Sequence, residues 1–314
     1  MTPGSGLLHF PQKKKGHYML RLVSYTHRGL PQWGVLTEDG CAVLSAYDLE
    51  EIYSVFLGST LAEFIETGEE GLLSLAKALS QNGKEEEVSP VPLTKIEIGV
   101  PFLPRRNIFC VGKNYKEHVR EFEKDDKAKD PVDPIFFTKA TTSVIGPEEP
   151  IDSHPDVTRE VDYEGELAVI IGKQGTDIAP EDAADYIYGY TILNDVTARD
   201  LQKKHAQWFL GKSLDTFCPI GPFVLVGART EPFTLYTHVN GNLRQEGNTE
   251  DLIFSIPTLI SVLSKGMTLL PGDVIATGTP KGVGMGQNPP TFLKKGDVVE
   301  ITIDSIGTLR NTVK

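Results

Sequence analysis

Residues 162–200 read DYEGELAVIIGKQGTDIAPEDAADYIYGYTILNDVTARD, and this stretch decides both the fold and the chemistry. Its apolar run Leu-Ala-Val-Ile-Ile, residues 167–171, has the length and β-branched content of a buried strand. Glu164 and Glu166 lead into that run two residues apart, so on a strand they project from the same side. Two ionised carboxylates side by side repel, and burying either one alone is costly. A divalent cation removes both objections. A second apolar segment, residues 186–193, ends at Asn194-Asp195 and offers a third carboxylate at a strand end. Three carboxylates suit a hard ion such as Mg2+ or Mn2+, with waters or substrate oxygens completing an octahedron. The competing reading leaves Glu164 and Glu166 facing solvent on an edge strand and makes Asp195 the cap of the next helix. The stretch by itself does not choose between them.

The rest of the composition narrows the classes. The chain has 314 residues, 39% hydrophobic and 24% charged, enough for a large core and for two domains. A net charge of −12 argues against nucleic-acid or anionic-membrane partners, which require basic patches. Small anionic substrates stay open, because a site can be locally positive. Cys41, Cys110 and Cys218 are an odd number without metal-ligand spacing, which points to a reducing cytoplasm. No apolar run has the length of a membrane span. Residues 1–18 lack the apolar core of a signal peptide. Lys13-Lys14-Lys15-Gly16 can be encoded by a purine-rich tract resembling a ribosome-binding site, just ahead of Met19. Met19 is therefore expected to be the natural start, with residues 1–18 a non-native or disordered leader. N-terminal sequencing of protein from its host tests this, and a chain beginning before Met19 contradicts it.

From Met19 onward, residues 20–25, 32–37 and 41–44 read as short strands, with turns at Gly29 and Asp39-Gly40. Residues 61–66 and 72–80 read as helices, and QNGKEEEVSPVP (81–92) as a linker. That places a small N-terminal β-rich domain at 19–90 and the main domain at 91–314. The main domain opens with a strand at 107–111. In KEHVREFEKDDKAKD (116–130), His118 and Glu121 share a face if the segment is helical, though its charges alone suggest a surface helix. Residues 134–144 read as a strand pair carrying Lys139, and 198–206 as a helix capped by Thr197 or Asp195. Lys212 lies in Trp-Phe-Leu-Gly-Lys-Ser, an apolar setting that fits a snorkelling surface residue or a cation facing an anionic ligand. Further strands are expected at 223–226, 234–239, 274–277 and 298–303, with Asn240-Gly241 as a hairpin turn. GTPKGVGMG (278–286) lacks the GxxxxGK[S/T] pattern and runs into Asn288-Pro289-Pro290, where no helix can start. Nucleotide binding is excluded on that ground, and the lack of a GxSxG elbow excludes a serine hydrolase.

Six segments, taken together and in order, resemble the fumarylacetoacetate hydrolase superfamily: NIFCVGKNYKEHVREF, PIFFTKATTSVIGP, DYEGELAVIIG, GYTILNDVTARDLQ, WFLGKSLDTFCPIGP and TGTPKGVGMG. The likeness covers roughly residues 105–312 and is weaker in the N-terminal domain. It implies an α+β, β-rich fold, a mixed β-sandwich roll with a small N-terminal domain, and a homodimer. It also implies that Glu164, Glu166 and Asp195 bind Mg2+ or Mn2+, with Lys212 beside the metal. Arg199, Gln202, Lys139 and Thr279 would bind substrate, and His118 with Glu121 would act on water from a lid helix.

The substrate so implied is a 2-oxo acid that chelates the metal through its carboxylate and oxo group, reacting through a metal-stabilised enolate. His118, oriented by Glu121, is the expected general base, since imidazole exchanges protons near neutrality. Hydrolysis of an acylpyruvate, decarboxylation of oxaloacetate and isomerisation of a dienoic 2-oxo acid all share that enolate. Possession of both His118 and Glu121 tilts the expectation toward C–C bond hydrolysis. A non-catalytic binding or scaffold protein would be marked by loss of a ligand or of this pair, and the sequence has lost neither.

Overall fold

A computed structural model describes residues 19–80, 88–123, 127, 129–227 and 232–314. The expected leader at 1–18 and residues 81–87 of the expected linker lie outside the described residues.

The run that opens the sequence reading becomes the strand Gly165–Ile171, and all of its residues are buried. Both faces are covered, which is why the run is apolar throughout rather than alternating. On one face Leu167, Val169 and Ile171 pack with Leu235, Ile301 and Ile303 of a second sheet. On the other, Ala168 and Ile170 share a core with Trp33, Leu44 and Phe64 from the N-terminal stretch. Truncating Ile170 to alanine here would cost about 2–5 kcal/mol, the usual range for a large core side chain.

The larger sheet has 12 strands. Its main path runs Val91–Pro92, Ala42–Ser45, Leu30–Leu36, Leu20–His27, Cys218–Val226, Ile187–Asn194, Gly165–Ile171, Val274–Ala276, Ile108–Gly112 and Ile135–Lys139. The four-stranded sheet runs Asn242–Asn248, Thr234–Val239, Val298–Ile303 and Gly307–Thr312. Its hairpin turns at Asn240 and Gly241, both with positive φ as a tight two-residue turn requires. The four-stranded sheet packs on one face of the larger sheet and the helices Ala46–Tyr53, Leu61–Glu66 and Gly68–Leu79 on the other, a mixed, strand-rich α+β fold.

Leu20 pairs with Val226, so the strands of the 19–90 stretch extend the same sheet that carries the carboxylates. Val91–Pro92, at the end of the expected linker, adds the outermost strand beside Ala42 and Val43.

Three local expectations change. Ala46–Tyr53 is a helix that the strand-centred reading passed over, although its buried Ala46, Leu49 and Tyr53 follow helical spacing. The strand pair expected at 134–144 is a strand, Ile135–Lys139, then a 3-10 turn at Thr141–Ser143 and a two-residue strand, Val144–Ile145, that pairs with Cys218 and Pro219 rather than with its neighbour. In the turn the Ser143 hydroxyl donates to Ala140 O at 2.6 Å, a side-chain bond that competes with a ladder. The helix after the third carboxylate is short, Arg199–Lys204, and its N-cap is Ala198 with no side-chain cap bond. Thr197 donates instead to Asp195 O at 2.8 Å, and the Asp195 carboxylate is engaged by lysines.

Candidate active site

Register brings the three carboxylates together. Gly165 pairs with Asn194, which sets Glu164 opposite Asp195, and Asp195 N donates to Glu164 O at 2.8 Å. Residues opposite one another in an antiparallel pair point to the same face, as do residues two apart. Glu164, Glu166 and Asp195 are all buried, and one carboxylate oxygen from each lies within 4.8 Å of the others.

Such a cluster persists only with counter-charge nearby. Lys212 Nζ lies 2.7 Å from Glu164 Oε2 and 2.7 Å from Asp195 Oδ2. Lys139 Nζ lies 2.6 Å from Asp195 Oδ1 and also donates to Val196 O at 3.0 Å. Arg199 Nη1 lies 2.7 Å from Glu164 Oε1. Burial alone would raise Glu164, but Lys212 and Arg199 outweigh it and hold the carboxyl at about 2. Glu166 goes the other way. Burial, then the charges of Asp195 and Glu164, push it well above the carboxylate range, against the weaker pull of Lys212 and the Gly278 amide. For Lys212, burial opposes the charge, and Asp195 and Glu164 overcome it to raise the ammonium above its ordinary value.

A fourth carboxylate, Asp162, escaped the sequence reading. It is fully buried and accepts from Tyr163 N at 2.9 Å, Gly284 N at 2.7 Å, Met285 N at 3.0 Å and Arg199 Nε at 2.8 Å. Asp162 thus ties Arg199 to the glycine-rich loop. The signal was present, since Asp162, Glu164 and Glu166 occupy alternate positions at the start of the strand. Gln245 was not legible locally: its Oε1 accepts from Gly165 N at 2.9 Å while its Nε2 donates to Thr279 Oγ1 at 2.7 Å. Thr279 Oγ1 in turn donates to Gly165 O at 2.9 Å, and Gly278 N donates to Glu166 Oε2 at 2.8 Å.

Glu164 and Glu166 open into a small cleft of about 20 Å3. Arg199, Gln202, Lys212, Thr279 and His118 line it with Glu164 and Glu166, and Phe122, Phe137 and Trp208 form its walls. Lys139 is not among the residues lining the cleft; its ammonium meets Asp195 Oδ1. Glu121 also lies outside the cleft lining. On the helix Lys116–Glu123, it reaches His118 Nδ1 at 3.3 Å and accepts from Gly282 N at 2.9 and 3.1 Å. Gly282 and Gly284 belong to one loop, so Asp162 and Glu121 grip the same backbone from two sides.

The donor set fits a divalent metal. Three convergent carboxylates form an all-oxygen site for a hard ion, and Glu166, pushed toward its neutral form by its neighbours, lacks the cation partners of the other two. Cys110 and Cys218 are buried nearby, but burial pushes the Cys218 thiol up to about 12 and Cys110 well above its ordinary value, so neither offers a thiolate.

Residues 107–314 match the family described as Fumarylacetoacetate (FAA) hydrolase C-terminal. The oxaloacetate tautomerase YisK of Bacillus subtilis is 54% identical over 226 residues, covering 70% of this chain and 74% of that protein. The solved fumarylacetoacetate hydrolase of psychrophilic Exiguobacterium antarcticum is 39% identical with a TM-score of 0.78, covering 94% of this chain and 99% of the other. A maleylpyruvate hydrolase from Sphingobium sp. SYK-6, solved with manganese(II) ion and pyruvate, is 29% identical with a TM-score of 0.71, covering 93% and 98%. The chain belongs to the fumarylacetoacetate hydrolase family, as an enzyme acting on oxo acids.

Proposed function

We propose that the chain interconverts the keto and enol forms of a short 2-oxo acid, with oxaloacetate the first substrate to test. The observation that carries this reading is Arg199. Its Nη2 is buried beside the carboxylate cluster and has no hydrogen-bond partner among the described residues, so a donor stands ready for a substrate carboxylate. Gln202, whose Oε1 accepts from Arg199 Nη1 at 3.2 Å, supports the same group and lines the cleft. A divalent ion held by Glu164, Glu166 and Asp195 supplies, when bound, the Lewis acid that polarises the 2-oxo group.

The chain's own groups then move one proton. With a proton on Nδ1 facing Glu121, His118 presents Nε2 as the acceptor. His118 takes a proton from C3; the C–H electron pair enters the C2–C3 bond, and the C2 oxygen gains the negative charge. Lys212 provides positive charge in the same cleft. Protonation at oxygen gives the enol, and return of the proton to C3 gives the keto acid. The compact, aromatic-walled cleft and the 54% identity to an oxaloacetate tautomerase both favour this reading.

A second reading, hydrolysis of an acylpyruvate, is favoured by the His118–Glu121 pair, which can equally activate a water. Stopped-flow ultraviolet absorbance of the oxaloacetate enol, with Mg2+ or Mn2+ against metal-stripped enzyme, tests the first. Metal-dependent acceleration supports it. Pyruvate release from acylpyruvates without enol–keto acceleration would replace it with the second. The cytoplasmic setting is proposed from three free cysteines, and the homodimer from the family resemblance. Light scattering tests the latter, and a monomer would contradict it.

A further inference from the structure

Among the described residues, the cleft lining holds one cation that the proposed reaction leaves unused. Lys113 lines it together with Lys212 and Arg199, but its ammonium pairs with Glu123 and lies 4.8 Å from the centre of the Phe122 ring. Its position is built, not incidental. The strand Ile108–Gly112 ends at the cleft, and Lys113 follows it with φ of 55°, a left-handed conformation that a non-glycine residue keeps only where its surroundings hold it. Gly112 lets the Trp208 ring lie directly on the backbone, where a Cβ would overlap it. Asn114 then pins the turn, its Nδ2 donating to Thr277 O at 2.8 Å and to Phe254 O at 3.1 Å. Lys113 is thus fixed against Phe122 and Glu123 in the last turn of the helix Lys116–Glu123, with its side chain only 20% exposed.

We infer that Lys113 receives a second substrate carboxylate and makes the site selective for 2-oxo dicarboxylates over 2-oxo monocarboxylates. This rests on the function proposed above and names its substrate class. Arg199 and Lys212 serve the chelating end of the molecule beside the three acids, and Lys113 is the remaining cation along the cleft lining. Its partner Glu123 is 45% exposed, and a pair that open to water is weak. A substrate carboxylate held in the cleft can take Glu123's place.

The test compares oxaloacetate with 2,4-dioxopentanoate, in which an acetyl group replaces the second carboxylate. Enol–keto rates for both are measured with Mn2+ in the wild type, Lys113→Gln, Lys113→Arg and Glu123→Gln. The ratio of kcat/KM for oxaloacetate over dioxopentanoate is expected to fall on the order of 10- to 100-fold in Lys113→Gln, the worth of one hydrogen bond to a charged group. Lys113→Arg is expected to restore most of the ratio, and Glu123→Gln to lower the KM for oxaloacetate. An unchanged ratio in Lys113→Gln, or equal losses on both substrates, would overturn the assignment. A higher oxaloacetate KM in Glu123→Gln would overturn the exchange. Oxalate titration of the wild type separates the two levels. If oxalate binds with metal but the ratio does not move, only the role of Lys113 falls; if oxalate does not bind, the 2-oxo-acid site falls with it.

Discussion

The carboxylate cluster and the helix Lys116–Glu123 are built from the same kinds of residue in opposite settings. In the cluster, Arg199, Lys139, Asp162 and Asp195 are fully buried and every charge is matched by another side chain or a backbone amide. On the helix, Glu117 meets Lys281 at 2.7 Å with both side chains more than half exposed. His118, Val119, Glu121 and Phe122 turn inward from it. Removing one member of a buried pair costs about 3–5 kcal/mol, whereas an exposed pair contributes about 0–1 kcal/mol. The groups proposed to hold substrate are therefore fixed by buried ion pairs, and the group proposed to move the proton is carried by a helix that Glu121 ties to Gly282.

Substitutions can break this contrast at graded strengths. Glu166→Ala removes a ligand without unpairing a cation partner of its own, so it is expected to abolish metal-dependent turnover, about 1,000-fold or more, with little loss of thermal stability. Steady-state kinetics and calorimetric melting check both halves, and full activity would refute the metal site. Asp162→Asn leaves Arg199 Nε and Met285 N facing an amide that can no longer accept from all four donors. It is expected to cost about 3 kcal/mol of stability, read by denaturant unfolding, together with a raised substrate KM. His118→Ala should lower kcat about 100-fold or more while metal binding survives. Lys281→Ala, on the exposed face, should change stability by less than about 1 kcal/mol, and a larger change would mean the helix is more tightly coupled than its exposed pairs imply.

Acid should also separate the two glutamates. Glu164 is depressed to about 2 in the folded protein from an ordinary 4.5, so its contribution is present above the ordinary value and is lost as pH falls toward about 2. Glu166 is raised, so in metal-stripped protein its protonated form favours folding at low pH, and that contribution is lost as pH rises above the carboxylate range. A divalent ion must displace that proton. The gain in Tm on adding Mg2+ should accordingly be larger at mildly alkaline than at mildly acidic pH, and a pH-independent gain would contradict the assignment for Glu166.

How much of this was legible follows from the range of each interaction. Glu164, Glu166 and Asp195 were readable because strand periodicity and a strand end are local features. The residues alone left open whether Lys212 faces in or out, since snorkelling and burial have the same local sequence, and only the family resemblance placed it at the metal. Asp162 was visible in the alternation but went unread, because an acid at a strand start has an ordinary solvated explanation. Gln245 and Asn114 act across the fold, on Gly165 and Thr277, and nothing in their own segments announces that. The pairing of Leu20 with Val226 is likewise a long-range fact, so a polar linker suggested a boundary where the sheet runs on. The helix Ala46–Tyr53 was missed for a different reason: its apolar spacing was present, but the run of short strands just before it set the expectation.

The central claim is that Glu164, Glu166 and Asp195 hold a divalent ion that recruits a 2-oxo acid. Calorimetric titration of oxalate, a mimic of pyruvate enolate, into metal-stripped protein with and without Mn2+ tests it most directly. The account predicts binding only when metal is present, and its loss in Glu166→Ala. Binding without metal, or none under either condition, would contradict it.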